Sequence, residues 1–222
     1  MNLRLIKTIK MKKNLLILIL TFCTYIVNAQ FETAKQVYSS NNLNSFIQNA
    51  KKIAILPFNS KISFKKMPKG VTYEMIKDEE KQSNYQLQDG MFTYLLRKSN
   101  DYTVSFQDVN MTNAILRKNN IDDINIITPD SLCKILNVDG VIKCNWSYEK
   151  TGSEAGAIAA AALFGVSKAT ASGSLIMQIY SATNGELVWR FYKEMNETAF
   201  SSGNEIMERM MRKVSRNFPY MK

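Results

Sequence analysis

The sequence predicts a single α/β domain, an α+β sandwich on a mixed sheet of about five strands with helices mainly on one face. Three observations carry the prediction. A nearly continuous apolar run, Ile53-Ala54-Ile55-Leu56-Pro57-Phe58, suits a strand covered on both faces. Two apolar-rich runs flank Thr183-Asn184-Gly185-Glu186 as a hairpin, and residues 203–217 repeat apolar side chains at helical spacing. The composition agrees: 222 residues, 45% hydrophobic and 22% charged, with only 9 Gly and 4 Pro, which excludes collagen, disorder and a disulfide-dense miniprotein. The chain has no His, so Ser-His-Asp and Cys-His nucleophile pairs, a His-ligated zinc and a His general base are all excluded.

Residues 1–29 read as a signal peptide. Arg4, Lys7, Lys10, Lys12 and Lys13 precede the apolar run Leu15–Leu20, and Val27-Asn28-Ala29 forms a small-residue exit for cleavage between Ala29 and Gln30. The apolar core is shorter than the roughly 20 residues of a spanning helix. Met1 and Met11 both serve as starts for such a signal. Lipid attachment at Cys23 is the rival reading, disfavoured by the bulky Phe22 before it. Cleavage removes five basic residues and no acid, lowering the net charge from +10 to +5. Half of the basic balance that would suggest nucleic acid is therefore export signal.

Residues 30–50 are expected as a helical lead-in, and 51–222 as the single α/β domain with an Ala-rich insertion at 154–170. After the strand ending near Pro57, residues 71–98 read as a helix. Its middle, Asp78-Glu79-Glu80-Lys81, is expected to be exposed, and Leu87, Met91, Tyr94 and Leu95 form its core stripe. Tyr102–Phe106 reads as a strand and Val109–Lys118 as a helix. Thr128-Pro129-Asp130 starts another helix, with Thr as N-cap and Pro at the first position, which stops at Asn137. Val141–Tyr148 is the next strand. Cys133 and Cys144 lie eleven residues apart; export permits a disulfide, and a free buried pair is the preferred reading.

Register decides the hairpin. A three-residue loop, Thr183-Asn184-Gly185 with Gly185 left-handed, pairs Ile179 with Trp189 and Met177 with Phe191. It collects Leu175, Met177, Ile179, Leu187, Trp189 and Phe191 on one apolar face, which a one-residue slip would destroy. The last helix, 203–217, opens on a Ser202/Glu205 capping box. It buries Ile206, Met207, Met210, Met211, Val214 and Phe218, with Arg209, Arg212, Lys213 and Arg216 largely opposite.

No catalytic, cofactor-binding or metal-ligating set emerges. The carboxylates (Asp78, Glu79, Glu80, Asp122, Asp123, Glu149, Glu154) sit in polar settings that would not raise a pKa, and no phosphate-binding loop or Cys-x-x-Cys occurs. One segment breaks the pattern. Ala155–Val166 is twelve residues without a charge, placed in a connection between strands. Either it tucks onto the body, or Ile158, Leu163, Phe164 and Val166 project to meet a membrane, a partner or a second copy.

Three pieces in order, KIAILPF (52–58), LNVDGVIKCNW (136–146) and IYSATNGELVWRF (179–191), resemble the α/β domain shared by the TolB amino-terminal region, the curli-export lipoprotein, LpoB and related exported lipoproteins. The chain also resembles uncharacterised secreted proteins of the Bacteroidetes. The resemblance implies a non-catalytic module, without cofactor, small-molecule substrate or nucleic acid, that binds envelope proteins or itself. Peripheral membrane contact is compatible with it. The expected localisation is exported, periplasmic or at the outer membrane. A self-assembling outer-membrane transport or secretion component is the alternative. The chain departs from the group in lacking a well-placed lipid-anchor Cys. Ala155–Val166 also lacks the polar/apolar alternation of a pore strand.

Overall fold

The computed structural model describes residues 35–150, 171–197 and 203–222. Seven strands among them form one mixed sheet: β1 (Lys35–Ser39), β2 (Lys52–Ile55), β3 (Asn59–Phe64), β4 (Ser105–Phe106), β5 (Gly140–Lys150), β6 (Ala171–Ser181) and β7 (Leu187–Glu197), in the order β1-β7-β6-β5-β2-β4 with β3 also on β5. β2 and β3 run parallel to β5, and β4 runs parallel to β2; the β5-β6-β7-β1 side is antiparallel. The helices are α1 (Leu43–Asn49), α2 (Tyr73–Arg97), α3 (Val109–Lys118), α4 (Pro129–Leu136) and α5 (Gly203–Ser215). The class is α/β, as expected, with more strands than the sequence suggests.

Both faces of β2 are covered, as its unbroken apolar run requires. Ile53 and Ile55 join the larger core with α2 (Leu87, Met91, Tyr94, Leu95) and α5 (Met207, Met210, Met211, Val214). Ala54, Leu56 and Val141 face the other way, onto Leu116 of α3 and Leu132, Cys133 and Leu136 of α4. The two longest helices thus share one face, and the shorter pair seals the opposite face at the β2 end. Cys144 lies in the first cluster and Cys133 in the second, so the sheet separates the two free thiols.

Pro57 breaks one long strand into β2 and β3. Ile55 pairs with Ile142 but Asn59 with Asn145, so one extra residue is absorbed at the break. The inward-facing set consequently shifts from Ile53 and Ile55 to Phe58. The edge of this strand facing away from β5 is satisfied group by group. Lys51 and Ile53 carbonyls accept from Ser105 and Gln107 backbone N–H, at 2.8 Å each. Beyond that, α2 replaces the strand: Gln88 Nε2 donates to the Ile55 carbonyl (2.7 Å), Asn84 Oδ1 accepts from Ser60 N–H (2.7 Å), and Glu80 Oε1 accepts from Ile62 N–H (2.9 Å). Residues 80, 84 and 88 recur at four-residue spacing, hence on one helix face. Glu80, expected in a solvated stretch, is therefore a strand cap, with its side chain only 16% exposed. An unpaired buried backbone group is costly, which explains why a polar stripe docks against a sheet.

Three other expectations are corrected. The lead-in is not helical throughout: Lys35–Ser39 is a strand, added to β7, and only Leu43–Asn49 is helix. Val37 and Tyr38, neighbours on the strand, point to opposite faces of a sheet edge. The strand expected at 102–106 shrinks to Ser105–Phe106, because Tyr102 instead bridges Met221. The helix start at Thr128 holds, but its hydroxyl bonds Ser131 Oγ (2.8 Å) and no backbone N–H. Ser202 and the Ala-rich segment lie outside the described residues.

The hairpin has the expected register in its body, Ile179↔Trp189 and Met177↔Phe191, and a different end. Tyr180 pairs with Leu187, so a bulge leaves Val188 without a partner on β6, and Val188 instead of Leu187 joins the core. Ser181 N–H bonds the Glu186 carbonyl (3.0 Å), closing a four-residue loop, Ala182–Gly185, instead of three. Gly185 is left-handed as expected, with φ +69°, and a Cβ there would lie 3.3 Å from Asp130 Oδ1. Gly185→Ala should therefore lower the free energy of unfolding by about 1 kcal/mol or more, read from the denaturant midpoint.

Candidate interaction surface

The second core cluster covers only part of its face of the sheet. Farther along, among the described residues, no core cluster takes in the alternate residues of β5, β6 and β7. The register aligns Gln36, Tyr192, Ile176, Asn145 and Asn59 in one row across β1-β7-β6-β5-β3, and Tyr38, Arg190, Gln178 and Lys143 in the next. Lys143, Asn145, Ile176, Gln178, Arg190 and Tyr192 are half-buried, and Tyr38 is 50% exposed. Asn59 Nδ2 donates to Asn145 Oδ1 (3.1 Å), and the Tyr192 hydroxyl donates to Glu194, which raises its pKa. This face is polar, amide-rich and studded with tyrosines, a composition suited to adaptable hydrogen bonding.

The face ends at edge strand β1, all five residues of which are exposed. Ser40 N–H donates to the Val188 carbonyl (2.9 Å), continuing the β1–β7 register. In an antiparallel ladder, inward and outward groups alternate. The backbone groups of Lys35, Val37 and Ser39 accordingly point away from β7, as the pairing edge that a further strand would use.

Two hollows flank the surface. One of about 310 Å³ lies between α1 and the β6–β7 turn, lined by Asn42, Phe46, Asp139, Thr183 and Glu186, among others. Its carboxylates are already committed: Asp139 Oδ2 accepts from Lys51 and Lys52 backbone N–H (2.8 and 2.9 Å), and Glu186 accepts from the Asn42 amide (3.0 Å). The other, about 260 Å³, is a serine-lined hollow at the far end of the sheet, including Ser63, Ser147, Ser172 and Ser174.

The thiols have no nucleophilic setting. Burial pushes the Cys133 pKa up to about 12, with Asp130 and Asp139 adding to it, and burial alone pushes Cys144 up. Asp130 is held below the usual carboxylate range chiefly by its hydrogen bond with Thr128. Among the described residues, no three His, Cys, Asp or Glu side chains gather to hold a metal, and no helix is long and apolar enough to cross a membrane.

Of the residues singled out by sequence, Ala29, Gln30, Ile158, Leu163, Phe164 and Val166 lie outside the described residues. Lys150 pairs with Ala171, so the connection holding the Ala-rich run leaves and returns on neighbouring strands at one end of the sheet. Of the cations expected opposite the buried stripe, Arg212, Lys213 and Arg216 are exposed but Arg209 is half-buried; Arg212 lies 3.8 Å from Glu208, which also pairs with Arg97. The open face was missed by sequence reasoning. Its signal was present as the complement of the apolar hairpin face, in Ile176, Gln178, Arg190 and Tyr192.

No family model matches the sequence, and no curated protein matches it. Among solved structures, the chain is similar to a lipoprotein from Neisseria meningitidis, at 10% identity over 75% of this chain and 94% of that one, TM-score 0.44. It is similar to PelC, solved as a dodecamer, from Paraburkholderia phytofirmans, at 10% identity over 85% and 99%, TM-score 0.41. It is also similar to the LpoB C-terminal domain from Escherichia coli, at 8% identity over 70% and 93%, TM-score 0.33.

Proposed function

We propose that this chain is an exported, non-enzymatic protein of the cell envelope, periplasmic or at the outer membrane, that acts by contact with other proteins. The observation that carries the reading is the open sheet face running from Asn59 to Tyr38 and ending at the exposed edge of β1. A partner reaches both at once: amides and tyrosines from the face, and outward backbone groups of Lys35, Val37 and Ser39 from the edge. The basic and apolar pattern of residues 1–29 supports export, with Ala29–Gln30 as the cleavage site. In the same reading, Ile158, Leu163, Phe164 and Val166 supply a second contact.

The test is photo-crosslinking in intact cells, with the reactive residue placed in turn at Tyr38, Ile176 and, as a control on the other side of the sheet, exposed Asp89 of α2. Discrete adducts with an envelope protein are expected from Tyr38 and Ile176 only. Val37→Pro, which removes an outward N–H, should weaken the Tyr38 adduct. Equal labelling from all three positions would sink the reading.

A further inference from the structure

We infer that residues 65–77, the loop after β3 and the first turn of α2, form a contact site for an anionic lipid surface. The inference stands on a different part of the molecule from the open sheet face. Between residues 65 and 77 lie four lysines (Lys65, Lys66, Lys69, Lys77) and one acid, Glu74. All four lysines are exposed. Interleaved with them are three large apolar side chains also left in water: Met67 is 39% exposed, Met75 55% and Tyr73 77%. Single exposed apolar residues are ordinary, but here three fall within nine positions, interleaved with the lysines.

The local architecture holds these groups outward. Val71 N–H bonds the Pro68 carbonyl (3.3 Å), and Gly70 takes φ +83°, so the loop turns tightly before the helix. Thr72 caps the helix, its hydroxyl accepting from Met75 N–H (3.2 Å). Ile76 is buried and Glu80 is bound to β3, so α2 is anchored by its inward side while Tyr73, Met75 and Lys77 stay free of the core. Lysines concentrate at a negatively charged leaflet, and aromatic and apolar side chains enter at headgroup depth; each signal is weak alone and the two together are effective. An acidic protein surface would satisfy the lysines, but it would leave the exposed Met67, Tyr73 and Met75 unexplained. The loop leaves the sheet where Phe64 pairs with Lys150, at the end opposite the hairpin turn, so lipid contact there leaves β1 accessible.

The experiment is co-sedimentation of the exported form, residues 30–222 without the basic and apolar residues 1–29, with vesicles of phosphatidylethanolamine and phosphatidylglycerol, and with vesicles of phosphatidylcholine alone. Binding is expected only to the anionic vesicles, weakening as salt is raised. Lys65→Glu/Lys66→Glu/Lys69→Glu should reduce partitioning about tenfold or more. The corresponding Lys→Arg triple variant should retain it, and Tyr73→Ser/Met75→Ser should weaken binding without changing its salt dependence. All these positions are exposed, and an unchanged unfolding midpoint verifies that the variants fold. Equal binding to both vesicle types, no binding to anionic vesicles, or undiminished binding by the Glu variant overturns the inference. Crosslinking from Tyr38 and Ile176 is read separately and is unaffected by any of these outcomes.

Discussion

Trp189→Ala should destabilise the protein by about 3–5 kcal/mol, a large part of the stability of an ordinary domain. The indole is 1% exposed, stacks on Phe191 at 6.0 Å and 17°, and meets Phe218 edge-on at 5.9 Å and 82°. Phe218 in turn packs on Tyr102, Phe106 and Tyr220, so one ring links the hairpin to the chain's last turn. Removing it leaves a void bounded by the sheet, which cannot collapse without breaking the β6–β7 register. Urea denaturation should show a lower midpoint at an unchanged slope. Trp189→Phe should recover more than half of the loss, because it restores a ring at the same place. A midpoint equal to that of the parent would mean that the indole is not in the core.

The hairpin register was legible because alternation along Leu175–Ile179 and Trp189–Phe191 leaves a single register with one apolar face. The bulge at Val188 was not. Leu187 and Val188 are both apolar, so the pattern carries no mark of which one turns inward. Strand β1 escaped for another reason: five exposed residues on a sheet edge need no hydrophobic period, and Lys-Gln-Val-Tyr-Ser has none. The α5 stripe was plain, since Met207, Met210, Met211 and Val214 face a purely apolar core. The candidate site was hardly legible at all. A contact surface is defined by what the core pattern leaves over, and leftover polar residues look alike until strand order places Tyr38 beside Arg190 and Ile176 beside Asn145.

The polar stripe of α2 is where sequence reasoning and structure diverge most, and it yields the second large effect. Gln88→Leu should cost about 2–4 kcal/mol although it adds apolar volume at a fully buried position. The amide does three things at once. It donates to the Ile55 carbonyl at 2.7 Å and to Asn113 Oδ1 at 3.1 Å, and it accepts from Asn113 Nδ2 at 2.9 Å. Leucine leaves the Ile55 carbonyl, stranded beyond the reach of β4 by the break at Pro57, without a donor in a dry interior. It also strips α3's Asn113 of its partner. Gln88→Glu should be at least as damaging, because it removes the donor and sets a carboxylate beside a carbonyl oxygen. A double-mutant cycle separates the two losses. With Leu at 88, Asn113→Ala should cost much less than it does in the parent, whereas the share owed to Ile55 should remain. If Gln88→Leu unfolds at the parent's midpoint, then α2 is held against β2 and β3 by Leu87, Met91 and their apolar neighbours alone, and the hydrogen-bonded edge contributes nothing net to the fold.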